Sequence, residues 1–300
     1  MAGSTGQILQ SLLANVLIAA SKGVAAVITG SGALLAETIH SSADCGNQLL
    51  LLLGVKQAGR PADAKHPLGH GRALYFWSFM VAMLLFSGGG VFSIYEGLHK
   101  IRDPEPVGSV TVGIVVLAIG LALEGWSTIG NLRELGRRRG ATPFLRYLRD
   151  TKDSDLVVVF GENSAAVVGL LFALAALVLA WRTGDGRWDG IGSLAVGLVL
   201  VAVAIFLAVE IKSLLVGEGA DPALEEKVRK VIADEPRVVE LLHLIALQQG
   251  PGEVMLAMKL RFQGGLESDE LCEIINQLEA RVAEHAPEVR WSFVEPDIRD

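Results

Sequence analysis

Six apolar runs, Ile8–Ile28, Ala33–Val55, Ala73–His99, Val110–Leu132, Leu156–Trp181 and Ile191–Leu215, fill most of the first 217 residues of this 300-residue sequence. Each matches the length of about 20 residues that a helix needs to cross a bilayer. In hydrocarbon a chain has to satisfy its own backbone donors and acceptors, so runs of this kind fold as spanning helices. Composition agrees: 51% of residues are hydrophobic and 20% charged, with a mean hydropathy of +0.45. A soluble domain of this length seldom combines those values. From Glu218 onward the pattern turns charged and amphipathic. The expected organisation is an α-helical membrane domain of six transmembrane helices over 1–217, followed by a soluble domain over 218–300.

The connections set the orientation. Lys56–Arg72 carries Lys56, Arg60, Lys65 and Arg72, and Arg133–Lys152 carries Arg133, Arg137, Arg138, Arg139, Arg146, Arg149 and Lys152. Basic loops stay on the cytoplasmic side, which puts both termini inside as well. The opposite connections are poorer: "TGSGA" has no basic residue, "HKIRDPEPVG" has Lys100 and Arg102, and "RTGDGRWDG" has Arg182 and Arg187. The expected setting is a multi-pass protein of a bacterial inner (plasma) membrane. Residues 218–300 hold 18 acidic and 9 basic residues, a net of −9, which argues against nucleic acid as a partner. Cys45 and Cys272 stand in different settings and imply no disulfide framework.

Glu37, His40 and Asp44 interrupt the second run. An ionisable group at a helix centre costs about 2.5–3.5 kcal/mol on insertion scales, which disfavours chance placement and points to a bound partner. At about 3.6 residues per turn, the four-residue spacing stacks His40 and Asp44 on one face. Imidazole and carboxylate together suit a divalent metal ion such as zinc. The competing reading is a buried His–Asp hydrogen bond that ties two helices together. Glu124, in "LALEGWST", is a second intramembrane carboxylate. It reads either as a proton relay or metal approach, or as a helix–helix hydrogen bond to a Ser or Thr. Arg133 lies about 13 Å along the same helix, too far to pair with it. Glu37, three residues before His40, either approaches the same site or sits nearer the outer mouth, where water solvates it.

The tail sequence has its own periodicity. "DPALEEKVRKVIADE" opens with Asp221 as a cap and Pro222 at the first helical position, with apolar residues at Leu224, Val228, Val231 and Ile232. "RVVELLHLIALQQ" and "EVMLAMKLRF" predict two strands around the turn "GPG"; "ESDELCEIINQLEARVAEH" predicts a second helix and "EVRWSFVE" a last strand. The order α-β-β-α-β describes a small open-faced α+β sandwich, a fold that by itself decides no function.

The second-run pattern "AETIHSSAD", the loop "DAKHPLGHGRALYFW", the exit "SIYEGLHKIRDPEPV" and the ending "WSFVEPD" resemble the cation diffusion facilitator family, in order along nearly the whole chain. "TKDSDLVVVFGENSAAVVGL" further resembles its zinc-transporter-nine-like branch. The resemblance implies a homodimeric, proton-coupled exporter of zinc or a related divalent metal, with six helices and a cytoplasmic metallochaperone-like domain. Helix two of the family supplies two ligands four residues apart, which match His40 and Asp44. Helix five usually supplies a His and an Asp at that spacing; here Glu162 is the ionisable residue available, with Ala166 four residues on and Val158 four back. That departure leaves the fourth ligand open between Asn163, a water and a residue from another helix. In the loop, Asp63, His66 and His70 match the family's interfacial metal site position by position. The family's tail-domain metal site uses several His residues, whereas this tail has His243 and His285, and Lys259 stands where a ligand is expected. The expectation is a dimerisation and support domain that binds metal weakly or not at all.

Neutral His40 with ionised Asp44 and Glu162 gives a site of charge about −2, which a divalent ion neutralises and, in its absence, protons neutralise. Competition between metal and protons for one site is a basis for coupling opposed flows across the bilayer. Zn2+ leads on the resemblance, while one His with two carboxylates also suits Mn2+ or Fe2+, and Co2+ and Cd2+ stay in the transported class. "FSGGGVFS" and "GIGSLAVG" offer small residues where helices pack closely and slide. The alternative is a membrane-anchored metal sensor or scaffold without transport, which has no need of carboxylates in helices two, four and five. No enzyme is expected: the His-Glu-x-x-His protease signature is absent, and no hydrolase signature accompanies the intramembrane carboxylates.

Overall fold

The computed structural model describes residues 2–150 and 154–299, with side chains for 12–13, 15–148 and 159–299. Lys152, counted above among the basic loop residues, lies outside the described residues. The chain forms two compact units: Met1–Gly54, Phe76–Leu148 and Ser154–Ile211 make the first, and Val55–Tyr75, Arg149–Asp153 and Lys212–Asp300 the second.

The first unit is helical. Its elements are α1 (Ala2–Thr29), α2 (Gly32–Ala58), α3 (Ala73–Leu84) continuing through a π-helical segment (Leu85–Val91) into α4 (Phe92–Arg102), α5 (Val110–Arg139), α6 (Phe144–Asp150), α7 (Ser154–Thr183) and α8 (Arg187–Val216). All six apolar runs fall inside these helices. Among the described residues, Ala73–Arg102, Val110–Arg139, Val159–Thr183 and Arg187–Val216 are long and apolar enough to cross a membrane by length and composition, and the apolar part of α1 is described from Asn15. α2 carries Glu37, His40 and Asp44 in its interior. The π-helical segment, unforeseen in the sequence, coincides with Gly88, Gly89 and Gly90, whose missing side chains remove the penalty for widening the turn.

The α1–α2 turn is held by charge. Gly30 takes φ +66°, a conformation that glycine enters without a Cβ clash, and its N–H closes α1 on the Ala26 carbonyl at 2.8 Å. Ser31 caps α2 through the Leu34 N–H at 3.2 Å. Asp189, at the start of α8, completes the cap from outside: it accepts from the Ser31 hydroxyl, from the Gly32 N–H at 2.5 Å and from the Lys100 ammonium at 3.1 Å. Lys100 also binds the Gly30 carbonyl. Lys100, counted in the sequence as a loop cation, is therefore buried. One carboxylate fastens the α1–α2 turn, α4 and α8.

The segment ending in α4 and helix α8 meet backbone to backbone. A Cβ at Gly97 would lie 2.5 Å from the Leu194 nitrogen, and one at Gly197 would lie 2.7 Å from the Ile94 nitrogen. Gly90 and Gly97 on one side, and Gly190 and Gly197 on the other, each stand two turns apart. Without a hydrophobic drive between helices in lipid, this close approach of backbones supplies the packing.

The second unit contains α9 (Pro222–Ala233), β1 (Val238–Gly250), β2 (Glu253–Phe262), α10 (Ser268–His285) and β3 (Val289–Pro296), in the expected α-β-β-α-β order. Asp221 caps α9 by accepting from the Ala223 N–H at 2.7 Å, with Pro222 following. β2 is central, antiparallel to β1 and parallel to β3. Its alternate residues Val254, Leu256, Met258 and Leu260 are buried against Leu224, Val228 and Ile232 of α9 and Leu278 and Val282 of α10, the period of two that one covered sheet face requires. The loop after α2 belongs to this unit. A Cβ at Gly71 would lie 2.5 Å from Glu253 Oε2 and 2.9 Å from the Gln249 carbonyl, so the β1–β2 turn holds the loop where only glycine fits.

Replacing Gly197 by Leu should destabilise the helical unit by about 1–3 kcal/mol, the usual cost of overpacking, because the opposing atom is backbone and cannot rotate aside. Thermal unfolding of the purified variant in detergent checks this; an unchanged melting temperature would show that the α4–α8 approach is not tight.

Candidate functional site

The face of α2 that the sequence singles out is buried. Glu37, His40, Ser41, Asp44 and Asn47 recur at three- and four-residue steps along it. His40 is fully buried, and neither ring nitrogen has a hydrogen-bond partner. Its Nδ1 stands 3.7 Å from Asp44 Oδ1, beyond hydrogen-bonding distance. Both residues belong to α2, so this pair makes no hydrogen bond between two helices. Asp44 Oδ1 is likewise buried without a hydrogen-bond partner.

Opposite this face, α7 brings Glu162. Asn47 donates its Nδ2 to Glu162 Oε1 at 2.5 Å, while Asn47 Oδ1 is buried without a partner. Asp44, Glu124, Asn131, Glu162 and Asn163 line a cavity of about 620 Å³ between α1, α2, α5 and α7. Asn163 therefore stands on the cavity wall, and its carbonyl accepts from Thr128 at 3.4 Å. Thr128 also donates to the main-chain carbonyl of Glu124 at 2.7 Å, not to its carboxylate. Ala166 is buried, and the Val158 side chain lies outside the described residues. Buried donors and acceptors normally find partners. A cluster of unpartnered His, Asp and Asn atoms beside a cavity is an arrangement that a divalent cation can satisfy.

Two residues escaped the sequence reading. Asn47 was signalled only by its three-residue step from Asp44. Lys22 was signalled by being the lysine inside the first apolar run. Its Nζ lies 3.0 Å from Glu37 Oε2 and donates to the Ser41 hydroxyl at 2.8 Å. Lys22 is 1% exposed and Glu37 0%, so the expectation of a solvated Glu37 at the outer mouth is corrected: its charge is met by an ammonium, not by water.

In the loop, Asp63, His66 and His70 bring one ligand atom each within 4.8 Å of one another, the only such trio of His, Cys, Asp or Glu among the described residues. His66 Nδ1 is 3.3 Å from Asp63 Oδ1 and His70 Nε2 is 3.2 Å from Asp63 Oδ2. The rings lean together at a centroid distance of 4.1 Å. Asp63 accepts from the His66 N–H at 2.7 Å and the Lys65 N–H at 2.8 Å. The bond from the His66 N–H, aided by that from Lys65, pulls its carboxyl down to about 2. In the tail, Lys259 pairs with Asp297 at 3.2 Å and reaches Glu295 at 3.8 Å, and it neighbours His243 across the strands.

The chain matches known proteins over most of its length. Residues 8–216 match the family model described as the cation efflux transmembrane domain. The chain is 30% identical over 261 residues to the proton-coupled zinc antiporter SLC30A9, mitochondrial, of Xenopus laevis, covering 84% of this chain and 46% of that protein. It is 31% identical over 240 residues to metal tolerance protein C4 of Arabidopsis thaliana (79% and 52%), and 24% identical over 262 residues to the cation-efflux pump FieF of Klebsiella pneumoniae (86% and 81%). The chain belongs to the cation efflux, or cation diffusion facilitator, family, a family of transporters and not of enzymes, and resembles its zinc-transporter-nine-like branch. It is a multi-pass membrane protein and spans about half the length of the SLC30A9 relatives it matches.

Replacing both His66 and His70 by Ala should remove about one bound zinc per chain, because one carboxylate alone does not hold the ion. Since the backbone donors hold the Asp63 carboxyl at about 2, that residue stays ionised across the neutral range and protons should not displace the ion from it there. Equilibrium dialysis with zinc across pH checks both; unchanged stoichiometry in the double variant would exclude the loop as a metal site.

Proposed function

We propose that this chain exchanges a divalent metal ion, zinc in the first place, for protons across its membrane. The observation that carries the reading is the α2 face, where buried atoms of His40 and Asp44 have no hydrogen-bond partner and Asp44 lines the cavity that also receives Glu162. His40, Asp44 and Glu162 are the transport ligands, Asn163 or Asn47 completes the shell, and Glu124 relays protons or receives the approaching metal. The names of the SLC30A9 relatives, proton-coupled zinc antiporters, support zinc and proton coupling. Mn2+, Fe2+, Co2+ and Cd2+ stay within the substrate class on ligand chemistry.

In this reading residues 1–217 form the transport domain and 218–300 a cytoplasmic domain through which two copies pair. Asp63, His66 and His70 form a second, loop metal site, and the tail itself holds metal weakly or not at all, with Lys259 supplying a positive charge to its sheet. The excess of Lys and Arg in two connections supports cytoplasmic termini. The membrane is taken to be a bacterial plasma membrane; the SLC30A9 relatives are named mitochondrial, and cell fractionation separates the two.

Metal reaches the site with its hydration shell, and the site has to replace that shell. Two carboxylates match the charge of the dication, and the neutral imidazole supplies a nitrogen ligand. When the metal leaves, the carboxylates take up protons, because bare negative charges in this setting are costly. The opposed movement of the two cargoes follows from their exclusion of each other at one set of atoms.

Asp44→Ala should lower zinc-driven proton flux in proteoliposomes by about 100-fold or more, beyond the 10–100-fold typical of a residue that only supports a ligand. Its melting temperature should stay within a few degrees of the parent, because the substitution also removes a buried carboxylate. Near-normal flux from the variant would refute the transport site.

A further inference from the structure

The metal site described above uses neither Lys22 nor the Glu37 carboxylate that it binds. Both are buried as completely as His40. Their position is specific. Lys22 stands seven residues before Thr29, the end of α1, and Glu37 five residues after Gly32, the start of α2. The pair thus lies between the His40–Asp44 ligands and the Gly30 turn.

The cavity beside Asp44 lies on the other side, and a smaller one of about 290 Å³ lies between α1 and α5 against Lys22, Val116 and Gly120. From Asp44 the lining of the larger cavity continues along Gln48 and Leu51 of α2, Asn131 of α5 and Val159 of α7, positions that lie away from the Gly30 turn and toward the ends bearing the basic connections. Toward the Gly30 turn, helices α1, α2, α5 and α7 converge on the ion pair. Gly169 of α7 makes room for it, since a Cβ there would sit 2.5 Å from Glu37 Oε1, and a Cβ at Gly120 of α5 would sit 3.5 Å from Lys22 Cε. Ser41, one residue beyond His40, accepts a second bond from the ammonium.

We propose that the Lys22–Glu37 pair, braced by Ser41, closes the metal site on the side of the Gly30 turn, and that each transport cycle requires it to part. This rests on His40 and Asp44 being the transport ligands. The closure acts by atoms and by charge. Lys22 fills the space through which a metal would leave, and its fixed positive charge repels a dication standing one turn away. Glu37 holds the ammonium in place and is itself withheld from the metal. Outward release follows when α1 swings from α2 and carries Lys22 off, which leaves Glu37 free to meet water or the departing ion.

The physics of buried pairs makes the proposal testable. Removing one partner leaves an uncompensated charge and unfolds or strains the bundle, whereas removing both with residues of similar volume is tolerated. The variant of choice is therefore the full chain carrying Lys22→Met with Glu37→Gln, beside the charge swap Lys22→Glu with Glu37→Lys. Two readouts on detergent-solubilised protein decide it: backbone hydrogen–deuterium exchange over residues 33–41, and zinc binding by calorimetry.

With the closure removed, exchange over residues 33–41 should rise about tenfold as the outward side opens, while zinc affinity stays within about threefold because no ligand is lost. The swap should return exchange to that of the parent. Unchanged exchange in the neutral pair, exchange in the swap as fast as in the neutral pair, or a fall in zinc affinity of more than about tenfold would each overturn the proposal, the last by making Glu37 a ligand. If the neutral pair does not fold, parent-like exchange in a folded swap supports the closure; failure of both to fold marks the pair as structural and overturns it. Exchange is read without transport, so failure here is distinct from failure of the Asp44→Ala flux test.

Discussion

Hydrocarbon offers an ionised side chain neither water nor counter-ion, and the helical unit is organised around that constraint. Three buried carboxylate sites answer it in different ways. Asp189 is saturated by the Ser31 hydroxyl, two backbone N–H groups and Lys100, so it is a fixed joint between the α1–α2 turn, α4 and α8. Glu37 is met by one ammonium and keeps a second oxygen without a partner. Asp44 faces an imidazole that makes no hydrogen bond to it and a cavity shared with Glu162. From Asp189 of α8, at the N-terminus of α2, to Glu37 and Asp44 within α2, the carboxylates pass from fully satisfied, through singly paired, to open, and the open one is where an exchangeable ion has a reason to stay.

The contacts between helices differ by the same economy of side chains. Where α4 and α8 meet, glycines let backbone touch backbone, and Ser193 donates to the Ser93 carbonyl at 2.9 Å across the same contact. The helices also share the Asp189 joint at one end. The α1–α2 contact instead includes a pair of long side chains of opposite charge, Lys22 and Glu37, set against Gly169 of α7. A bundle with one backbone-tight seam and one charge-paired seam parts more readily at the second, because an ion pair regains solvation when water enters.

The sequence made the broad architecture legible because each level of it repeats a simple pattern. Apolar runs of spanning length marked the helices, and in the tail the alternation in "EVMLAMKLRF" located β2 from Glu253 to Phe262. Asp221 and Pro222 marked the start of α9. His40 and Asp44 were legible because an ionisable pair at helical spacing in an apolar run has few other causes. What the sequence did not disclose were partners across helices. Lys22 binding Glu37, Asn47 binding Glu162 and Lys100 binding Asp189 join residues 15, 115 and 89 positions apart, and no local period encodes such distances. Lys100 was misplaced for the same reason, since a basic residue near a helix end reads as a loop cation until its buried acceptor is known.

The two metal-binding candidates differ in a way that follows from backbone geometry. Asp63 stands in a turn, where N–H groups are free to point at its carboxylate, and two of them hold it ionised. Asp189 sits where the first turn of α2 leaves N–H groups without helical partners. Asp44 and Glu162 have neither resource, because in a helix interior every N–H is already bound to the carbonyl four residues back. Their charge can be met only by a side chain or by something that arrives from outside. Asn47 supplies one donor to Glu162, and the rest is left to protons or to a metal ion. A carboxylate anchored by backbone donors stores an ion; a mid-helix carboxylate without them changes its occupant when the surroundings change, and exchange of one occupant for another is what a coupled transport site has to do.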